Sequence, residues 1–318
     1  MQRWIDRWNG WWFPPSSTLY LAICRIVAVG AQLLWFYPNL VEHINLLRKN
    51  DEFFHPQLIT RILVAVFSRD AVFNPTTFTL LYWGTFAVGL LALVGLFTRA
   101  SLILFAIGTW IFVAHLFSYG DRHHTEALFA IFLMLLAFAP SGERLSLDAL
   151  IRRRRTGQGG AETSELAIWP LKLTLVLLGF SYLSAGVAKM FHSGLRWLNG
   201  YTLQGHTLGD ALARGHPVGV WLAQQHTLAV LLSIGTIIFE LFFWTVLVVP
   251  RRWVPLYLLA ALMFMVGLYV SGGYDFFQHM VLLSLLLCFL VPDWWERLVH
   301  AGKPEPQAPV ERGVSPIA

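Results

Sequence analysis

Long apolar runs separated by short polar segments make up most of the chain. A membrane-spanning helix needs about 20 mostly apolar residues, and about eight runs approach that length. They cover residues 18–37, 76–98, 101–119, 124–142, 168–191, 226–249, 253–271 and 275–293. The pattern predicts an all-α fold: a polytopic membrane helix bundle of about eight transmembrane helices.

The polar segments predict how the rest of the chain is organised. Residues 38–75 and 192–225 are long and mixed in character, so we expect short interfacial helices in these two outer loops. Residues 1–17 are aromatic and basic, which indicates an interfacial N-terminal segment rather than a cleavable signal peptide. A transmembrane domain then covers residues 18–295, and the proline-rich residues 296–318 are expected to form a disordered cytoplasmic tail.

Composition agrees with a protein whose main partner is the lipid bilayer. The 318 residues are 56% hydrophobic and 13% charged, whereas soluble domains carry about 25% charged residues. The formal net charge of +5 comes from basic residues in short loops rather than along one polar face, so nucleic acid is not an expected partner. The two cysteines, Cys24 and Cys288, lie inside apolar runs and have neither metal-binding nor disulfide spacing.

The distribution of charge predicts the orientation of the bundle. Cytoplasmic loops of membrane proteins carry an excess of Lys and Arg. With an even number of spans both termini share one side, and the arginines at 152–155, 251 and 252 fall on that side. We therefore expect a cell-membrane protein with both termini in the cytoplasm. Most histidines fall on the outer side, either as polar filler or as groups that could bind a ligand.

Lys189 lies near the outer end of the fifth run, where an ammonium is unusual. Tyr182, Gly186 and Lys189 are spaced i, i+4, i+7 and share one helix face. The glycine would let a neighbouring backbone or a flat ligand approach closely. A lysine at a span end can extend its ammonium to the membrane interface. Alternatively, desolvation favours the neutral amine, which could act as a base near pH 7.

Arg25 and Glu240 each lie inside a long apolar run. They are about eight and ten residues from the cytoplasmic ends of their runs, so at 1.5 Å rise per residue they would lie at similar depth. Because an unpaired charge there costs several kcal/mol, we expect the two side chains to pair. A structural ion pair is the simplest interpretation, and a polar handle for a headgroup or a proton path is the alternative.

Asp275 and His279 are spaced i, i+4 at the start of the last run. This spacing suits a metal pair or a histidine oriented by a carboxylate. With His123 or His124 across the bundle, the pair would make a three-ligand site. Asp275 is also a natural N-cap, which accounts for it without a metal, so a metal is not the preferred expectation.

The segment around Lys189, YLSAGVAKMFHSGLRWLNGYTLQ, resembles the signature of the HTTM (horizontally transferred transmembrane) domain. That domain is the membrane part of vitamin K-dependent gamma-carboxylases and their bacterial relatives. The matching positions of the Y-x-x-A-G-x-x-K and W-x-x-G-[TY] elements are Tyr182, Ala185, Gly186, Lys189, Trp197, Gly200 and Tyr201. LAICRIVAVG (with Arg25), GLFTRASLILF and SLDAL resemble further family segments, and the resemblance covers roughly residues 15–295.

The resemblance implies chemistry on a reduced quinone. In the carboxylase, the lysine that matches Lys189 is the proposed base that deprotonates reduced vitamin K. Oxygen then adds to the quinol, the resulting strong base removes a proton from a glutamate side chain, and carbon dioxide traps the carbanion. By this resemblance Lys189 is the catalytic base and His123 or His124 assists it. The expected quinone-binding residues are Tyr182, Gly186, Trp197, Arg25 and Glu240.

The chain also departs from the carboxylase pattern. Ala188 replaces a second lysine next to the base, and the histidine of the family's seventh span falls near Phe264. The family histidine of span four aligns with His123 from one side and with Thr125, next to His124, from the other. The large extracytoplasmic portion that binds the glutamate substrate has no counterpart, so carboxylation of protein glutamate by this chain alone is not expected.

Three functional hypotheses follow from the sequence. The first is a membrane enzyme that acts on a lipophilic quinol or a peptide, with Lys189 as base. The second is a membrane redox or metal-binding protein that uses the outer histidines. The third is a non-catalytic membrane scaffold or partner protein that retains the bundle without its chemistry. No motif identifies the protein it would serve.

We predict that residues 192–225 lie outside the cytoplasm, because the basic loops lie on the opposite side. Paired fusions of alkaline phosphatase and green fluorescent protein at residues 158 and 210 measure this. The phosphatase should be active only at 210 and the fluorescent protein only at 158. Cytoplasmic labelling of the 192–225 loop would overturn the orientation.

Overall fold

The computed structural model describes residues 2–49, 51–120 and 124–290. Across these residues the chain is almost entirely helical. The α-helices are α1 (Gln2–Trp12), α2 (Thr18–Leu34), α3 (Leu40–Leu47), α4 (Leu58–Phe67), α5 (Arg69–Val72), α6 (Pro75–Val94), α7 (Thr98–Ser118), α8 (His124–Phe138), α9 (Leu147–Thr156), α10 (Trp169–Ser193), α11 (Tyr201–Arg214), α12 (Pro217–Ala223), α13 (His226–Phe242), α14 (Val254–Gly272) and α15 (Phe277–Phe289). Short 3₁₀ turns at Gly194–Asn199 and Phe243–Leu247 extend α10 and α13.

The expected all-α membrane bundle is confirmed in its class, but the number of spans stays a prediction. The segments long and apolar enough to cross a membrane are Pro75–Val94, Thr98–Ser118, Trp169–Asn199, His226–Leu247 and Arg251–Gly272. Shorter apolar helices at Thr18–Leu34, Thr125–Phe138 and Phe277–Phe289 stand for the other predicted spans. The first is shorter than its apolar run because Pro38 follows it, and a proline disfavours helix in the residue before it.

The short helices expected within the two long connections are present. Residues 38–75 form α3, α4 and α5, and residues 192–225 form α11 and α12. The N-terminal segment forms α1, which buries none of its residues and exposes Trp4 and Trp8. Exposed tryptophans beside arginines are typical of a helix at the membrane interface, so the interfacial placement of α1 stays a reasonable prediction.

Two chain segments far apart in sequence meet at one end of the bundle. Ser16–Ser17 (β1) pairs antiparallel with Thr163–Ser164 (β2). The pairing brings the start of α2 next to the start of α10. These two helices therefore begin at the same end of the molecule, as the sequence-based topology requires. Which side of a membrane this end faces remains a prediction.

A continuous apolar core joins α2, α7, α8, α10, α14 and α15. Its members include the fully buried side chains of Leu21, Phe105, Leu133, Leu178 and Leu258. Burial of a leucine or phenylalanine side chain is worth about 1.5–3 kcal/mol relative to water. In a membrane, however, lipid is equally apolar, so close van der Waals packing and polar contacts between helices determine the arrangement.

Arg25 does not pair with Glu240, contrary to the expectation from sequence. It is fully buried on α2, and its guanidinium donates hydrogen bonds to the carbonyls of Ser141 (3.2 Å) and Leu145 (2.5 Å). The physical reason is local. The loop after α8 has backbone carbonyls inside the protein that need hydrogen-bond donors. Arg25 lies beside these carbonyls and supplies the donors.

Asp148 on α9 holds the turn between α6 and α7. Its carboxylate accepts hydrogen bonds from the backbone N–H groups of Phe97 and Thr98 and from the Thr98 hydroxyl. Gly95 in the same turn adopts a positive φ of 70°, and a Cβ there would lie 2.3 Å from Nη1 of Arg25. The three stretches around Arg25, Gly95 and Asp148 that resemble the family therefore form one structural cluster.

Hydrogen bonding keeps Asp148 ionised. Burial alone raises the pKa of this carboxyl, but the three hydrogen bonds from Thr98 and Phe97 outweigh burial, so the pKa lies below its usual range. A carboxyl with a lowered native pKa stabilises the fold fully above its unfolded pKa of about 3.9, and this contribution is lost as the pH falls through the native pKa.

We therefore predict that Asp148→Asn lowers the free energy of unfolding at pH 7 by about 1–2 kcal/mol, because hydrogen bonds to a charged acceptor are weakened. The melting temperature in detergent should fall less steeply between pH 5 and pH 3 in the variant than in the wild type. Asp70→Asn, at an exposed aspartate at the start of α5, is the control and should follow the wild type. Parallel curves for Asp148→Asn and wild type would contradict the role of Asp148.

Candidate functional site

Lys189 on α10 forms an ion pair with Glu240 on α13. Its Nζ lies 2.7 Å from both carboxylate oxygens. The lysine side chain is 25% exposed and the glutamate side chain is 6% exposed. The ammonium is therefore directed to a buried carboxylate, which removes much of the cost of placing either charge in an apolar bundle.

Gly186 makes this contact possible. A Cβ at Gly186 would lie 3.0 Å from the Cβ of Glu240 and 3.1 Å from the side chain of Leu241. Closer to the start of α10, a Cβ at Gly179 would lie 3.5 Å from Cα of Trp244. The helices α10 and α13 thus run antiparallel with small residues of α10 at the interface. Gly186 thus lets the side chains of α13 approach α10 closely, while its expected part in binding a flat ligand stays a prediction.

Lys189 lies within a longer helical segment than the sequence indicated. The helical segment of α10 continues through the 3₁₀ turn to Asn199, so Lys189 is not at its end. Glu240 lies about 21 Å along α13 from His226 at 1.5 Å per residue. The apolar run seemed to end at Lys189 because polar residues follow it, whereas the helix itself does not end there.

Two buried hydrogen-bond donors flank the ion pair. Nζ of Lys189 lies 5.5 Å from the ring centre of Trp197, and the indole N–H of Trp197 has no hydrogen-bond partner among the described residues. Tyr182, on the same face of α10, is 5% exposed. Its hydroxyl likewise finds no partner in the described part of the chain. Such groups cost about 1–3 kcal/mol each when left unsatisfied, which is typical of a ligand site.

Aromatic rings surround Tyr182. Its ring centre lies 4.6 Å from that of Phe243, 5.1 Å from that of Phe239 and 6.4 Å from that of Phe264. The resemblance to the carboxylase leads us to expect a histidine near Phe264, and the structure has an apolar ring there.

His279 approaches the same site from α15. It is 1% exposed, and its ring centre lies 6.3 Å from that of Tyr182. Asp275, in contrast, is exposed and precedes the helix, and Phe276 occupies the N-cap position without a side-chain cap. The expected Asp275 cap is therefore wrong, because α15 begins two residues later than the sequence indicated. A metal site that uses Asp275 and His279 stays a prediction.

The metal hypothesis gains no support from the described part of the molecule. No group of three or more His, Cys, Asp or Glu side chains there could hold a metal ion. His123 lies outside the described residues, and His124 begins α8 but its side chain is not described. Their assignment as catalytic residues and as third metal ligands therefore stays a prediction.

Two of the histidines that the sequence predicted on the outer side form a pair whose surroundings indicate a structural role. His43 on α3 and His115 on α7 are buried, and their Nδ1 atoms lie 2.9 Å apart. Burial lowers the pKa of His43 to about 4, so the imidazole is neutral near pH 7. The pair packs among Phe73, Phe78 and Phe112, away from the helices that carry Lys189.

The structure thus brings together most of the residues that the sequence predicted for a site, but in a different grouping. Those on α10, α13, α15 and the following turn that meet are Tyr182, Gly186, Lys189, Trp197, Glu240 and His279. Arg25 lies in the separate cluster with Ser141 and Leu145. The pairing of Lys189 with Glu240 was missed, and the only sequence signal for it was Gly186, one turn before the lysine.

A bundle of apolar helices, several of them long enough to cross a bilayer, with a charge pair inside it, defines a multi-pass membrane protein. The model of the HTTM domain family matches residues 13–294, nearly the whole chain. The protein belongs to the HTTM domain family. No curated protein and no solved structure matches the chain at a significant level.

We predict that Gly186→Ala separates α10 from α13 and lowers the free energy of unfolding by about 1–3 kcal/mol, because the added methyl overpacks the interface. The melting temperature in detergent measures the change. Gly235→Ala on α13, where a Cβ would meet nothing within 4 Å, is the matched control. It should be neutral or stabilising by up to about 1 kcal/mol. Equal effects of the two substitutions would contradict a close approach at Gly186.

Proposed function

We propose that this HTTM-family protein is a membrane enzyme that acts on a lipophilic quinol, with Lys189 and Glu240 as its proton-accepting unit. The observation that carries the proposal is the contact of Nζ with both carboxylate oxygens at 2.7 Å inside the bundle. An ionisable pair within membrane helices is costly, and such groups mark proton relays and substrate sites. Family membership supports the class of chemistry.

The residues around the pair fit a quinone-type molecule. The unsatisfied hydroxyl of Tyr182 and the unsatisfied indole N–H of Trp197 could donate hydrogen bonds to its oxygens. The rings of Phe239 and Phe243 beside Tyr182 offer apolar surface to a flat ring. A reduced quinone, when bound, supplies an acidic hydroxyl group and reducing equivalents for a reaction with oxygen.

The ion pair changes how Lys189 can act as a base. The sequence-based hypothesis required a lone neutral amine, but Nζ of Lys189 lies 2.7 Å from both carboxylate oxygens of Glu240. Nζ can nevertheless pass one proton to Oε1 of Glu240 while it accepts another from a substrate hydroxyl. The carboxyl group is then neutral and the ammonium remains charged. The pair therefore takes up one proton and keeps a positive charge beside the oxygen that lost it.

Burial assigns different tasks to the two side chains. The partly exposed ammonium of Lys189 is the group that can contact a substrate, whereas the nearly inaccessible carboxylate of Glu240 can exchange protons chiefly through the lysine. Tyr182, Trp197 and His279 are then binding and positioning residues. His123 or His124 stays a candidate for assistance.

We predict that Lys189→Arg separates the catalytic role from a structural one. Arginine preserves the positive charge and the contact with Glu240, but its guanidinium is not deprotonated in proteins. The melting temperature should therefore stay near that of the wild type, while quinol-dependent oxygen uptake falls at least about 100-fold. The purified full chain, supplied with reduced menaquinone-4 and followed with an oxygen electrode, provides the measurement.

Two further variants and a control complete this experiment. Lys189→Met and Glu240→Gln should lose oxygen uptake and also lower stability, by about 3 kcal/mol where a buried partner is left unpaired. Lys49→Met, at an exposed lysine outside the site, should behave like the wild type. Full oxygen uptake by Lys189→Met or Lys189→Arg would exclude Lys189 as the base.

A non-catalytic scaffold is the second candidate, and the same contact favours it. A Lys189–Glu240 ion pair that only joins α10 to α13 needs no substrate. In that case the wild type would show no quinol-dependent oxygen uptake. The only effect of Lys189→Met in these assays would be a lower melting temperature. The two candidates therefore differ in the wild-type assay as well as in the Lys189→Arg variant.

A further inference from the structure

A second polar site lies at the other end of α10. A cavity of about 670 Å³ is enclosed there by α1, the start of α10, the turn after α13, the start of α14 and the end of α15. Lys172 and Lys189 lie on the same helix, about 25 Å apart at 1.5 Å per residue. The cavity is thus separate from the Lys189–Glu240 site.

The lining of this cavity is amphiphilic. Its apolar wall includes Leu175, Val246, Val254 and Phe289. The polar lining consists of Lys172, Arg251 and the hydroxyl groups of Ser16, Ser17 and Tyr20. A cavity that combines cations with hydrocarbon walls suits a molecule that has an anionic head and an apolar tail.

Among the described residues that line the cavity, the charged side chains are the two cations Lys172 and Arg251. No aspartate or glutamate is among the described residues that line it. The ammonium of Lys172 donates to the backbone carbonyl of Trp11 and lies 5.0 Å from the ring centre of that tryptophan. Its neutral contacts orient the ammonium but leave its charge uncompensated, so a phosphate group would add attraction at this position.

Local backbone adds to the same preference. Ile168 and Val254, at the first turns of α10 and α14, line the cavity, and neither helix receives a side-chain hydrogen bond at its N-cap. The partial positive charge of these helix ends adds to the positive charge of Lys172 and Arg251. The amphipathic α1 contributes Gly10 and Trp11 to the lining, and a helix of this kind at a membrane interface would place the cavity within reach of lipid.

We propose that this cavity binds the phosphate-bearing headgroup of an anionic membrane lipid, with Lys172 and Arg251 at the phosphate and the beginning of an acyl chain against Leu175, Val246 and Phe289. The apolar wall distinguishes a lipid from free phosphate, because the phosphate ion would leave that surface unused.

The experiment uses the purified full chain in an uncharged detergent and measures its melting temperature by intrinsic tryptophan fluorescence. The probes, at equal concentrations, are dioctanoyl phosphatidylglycerol, dioctanoyl phosphatidylcholine and sodium phosphate. Phosphatidylglycerol should raise the melting temperature with saturation, since a ligand that binds only the folded state stabilises it. The other two probes should raise it little or not at all.

Substitutions test the two cations. Lys172→Gln and Arg251→Gln should each weaken the apparent affinity for phosphatidylglycerol about tenfold. Arg252→Gln removes a neighbouring exposed cation that does not line the cavity and should bind as the wild type does. Because Lys172 also holds α1 through Trp11, Lys172→Arg is included. This variant keeps a cationic donor at position 172. It should bind phosphatidylglycerol as the wild type does if Lys172→Gln weakens binding by removing a cation from the lipid phosphate.

Three results would overturn the proposal. Phosphatidylcholine as effective as phosphatidylglycerol would show that the acyl chains alone are recognised. Sodium phosphate as effective as the lipid would show a site for free anions. Equal losses in Arg251→Gln and Arg252→Gln would show attraction to general surface charge. The melting-temperature measurement involves no catalysis. A result against lipid binding therefore leaves the proposed function of Lys189 and Glu240 unaffected.

Discussion

An ammonium and a carboxylate inside an apolar bundle must find each other, and the contact between Lys189 and Glu240 is how this protein meets that requirement. Neither charge could remain alone there without a cost of several kcal/mol. The requirement sets the spacing of α10 and α13, which in turn needs a residue without a side chain at Gly186. The arrangement of Tyr182, Trp197 and His279 around the pair follows from that helix contact.

The buried charge of Arg25 also needs polar partners, but these partners are backbone carbonyls. Arg25 satisfies its guanidinium with the carbonyls of Ser141 and Leu145 instead of a carboxylate. Asp148 stabilises the neighbouring turn through the N–H groups of Phe97 and Thr98. This end of the bundle is therefore a structural cluster, whereas the Lys189 region retains polar groups without partners among the described residues. The contrast separates residues that support the fold from those available for a ligand.

The two lysines of α10 have different polar surroundings. Lys189 has a carboxylate partner, which suits the transfer of protons, and Lys172 has neutral contacts and a cavity, which suits the binding of an anion. A helix that connects such sites over about 25 Å crosses most of the roughly 30 Å hydrocarbon core of a bilayer. The substrate site and the proposed lipid site would then face opposite leaflets.

The sequence alone determined the helical class, because long apolar runs in water-free surroundings must satisfy their backbone as helices. Its motifs also indicated the HTTM family. It also identified Gly186 as a point of close approach. The helix ends were less predictable: α15 begins after Asp275, and α10 continues past Lys189. Only the tertiary structure decided the partners of the buried charges. Depth along a helix does not specify which neighbour a helix faces, so Arg25 and Glu240, which the sequence placed at similar depth, have different partners.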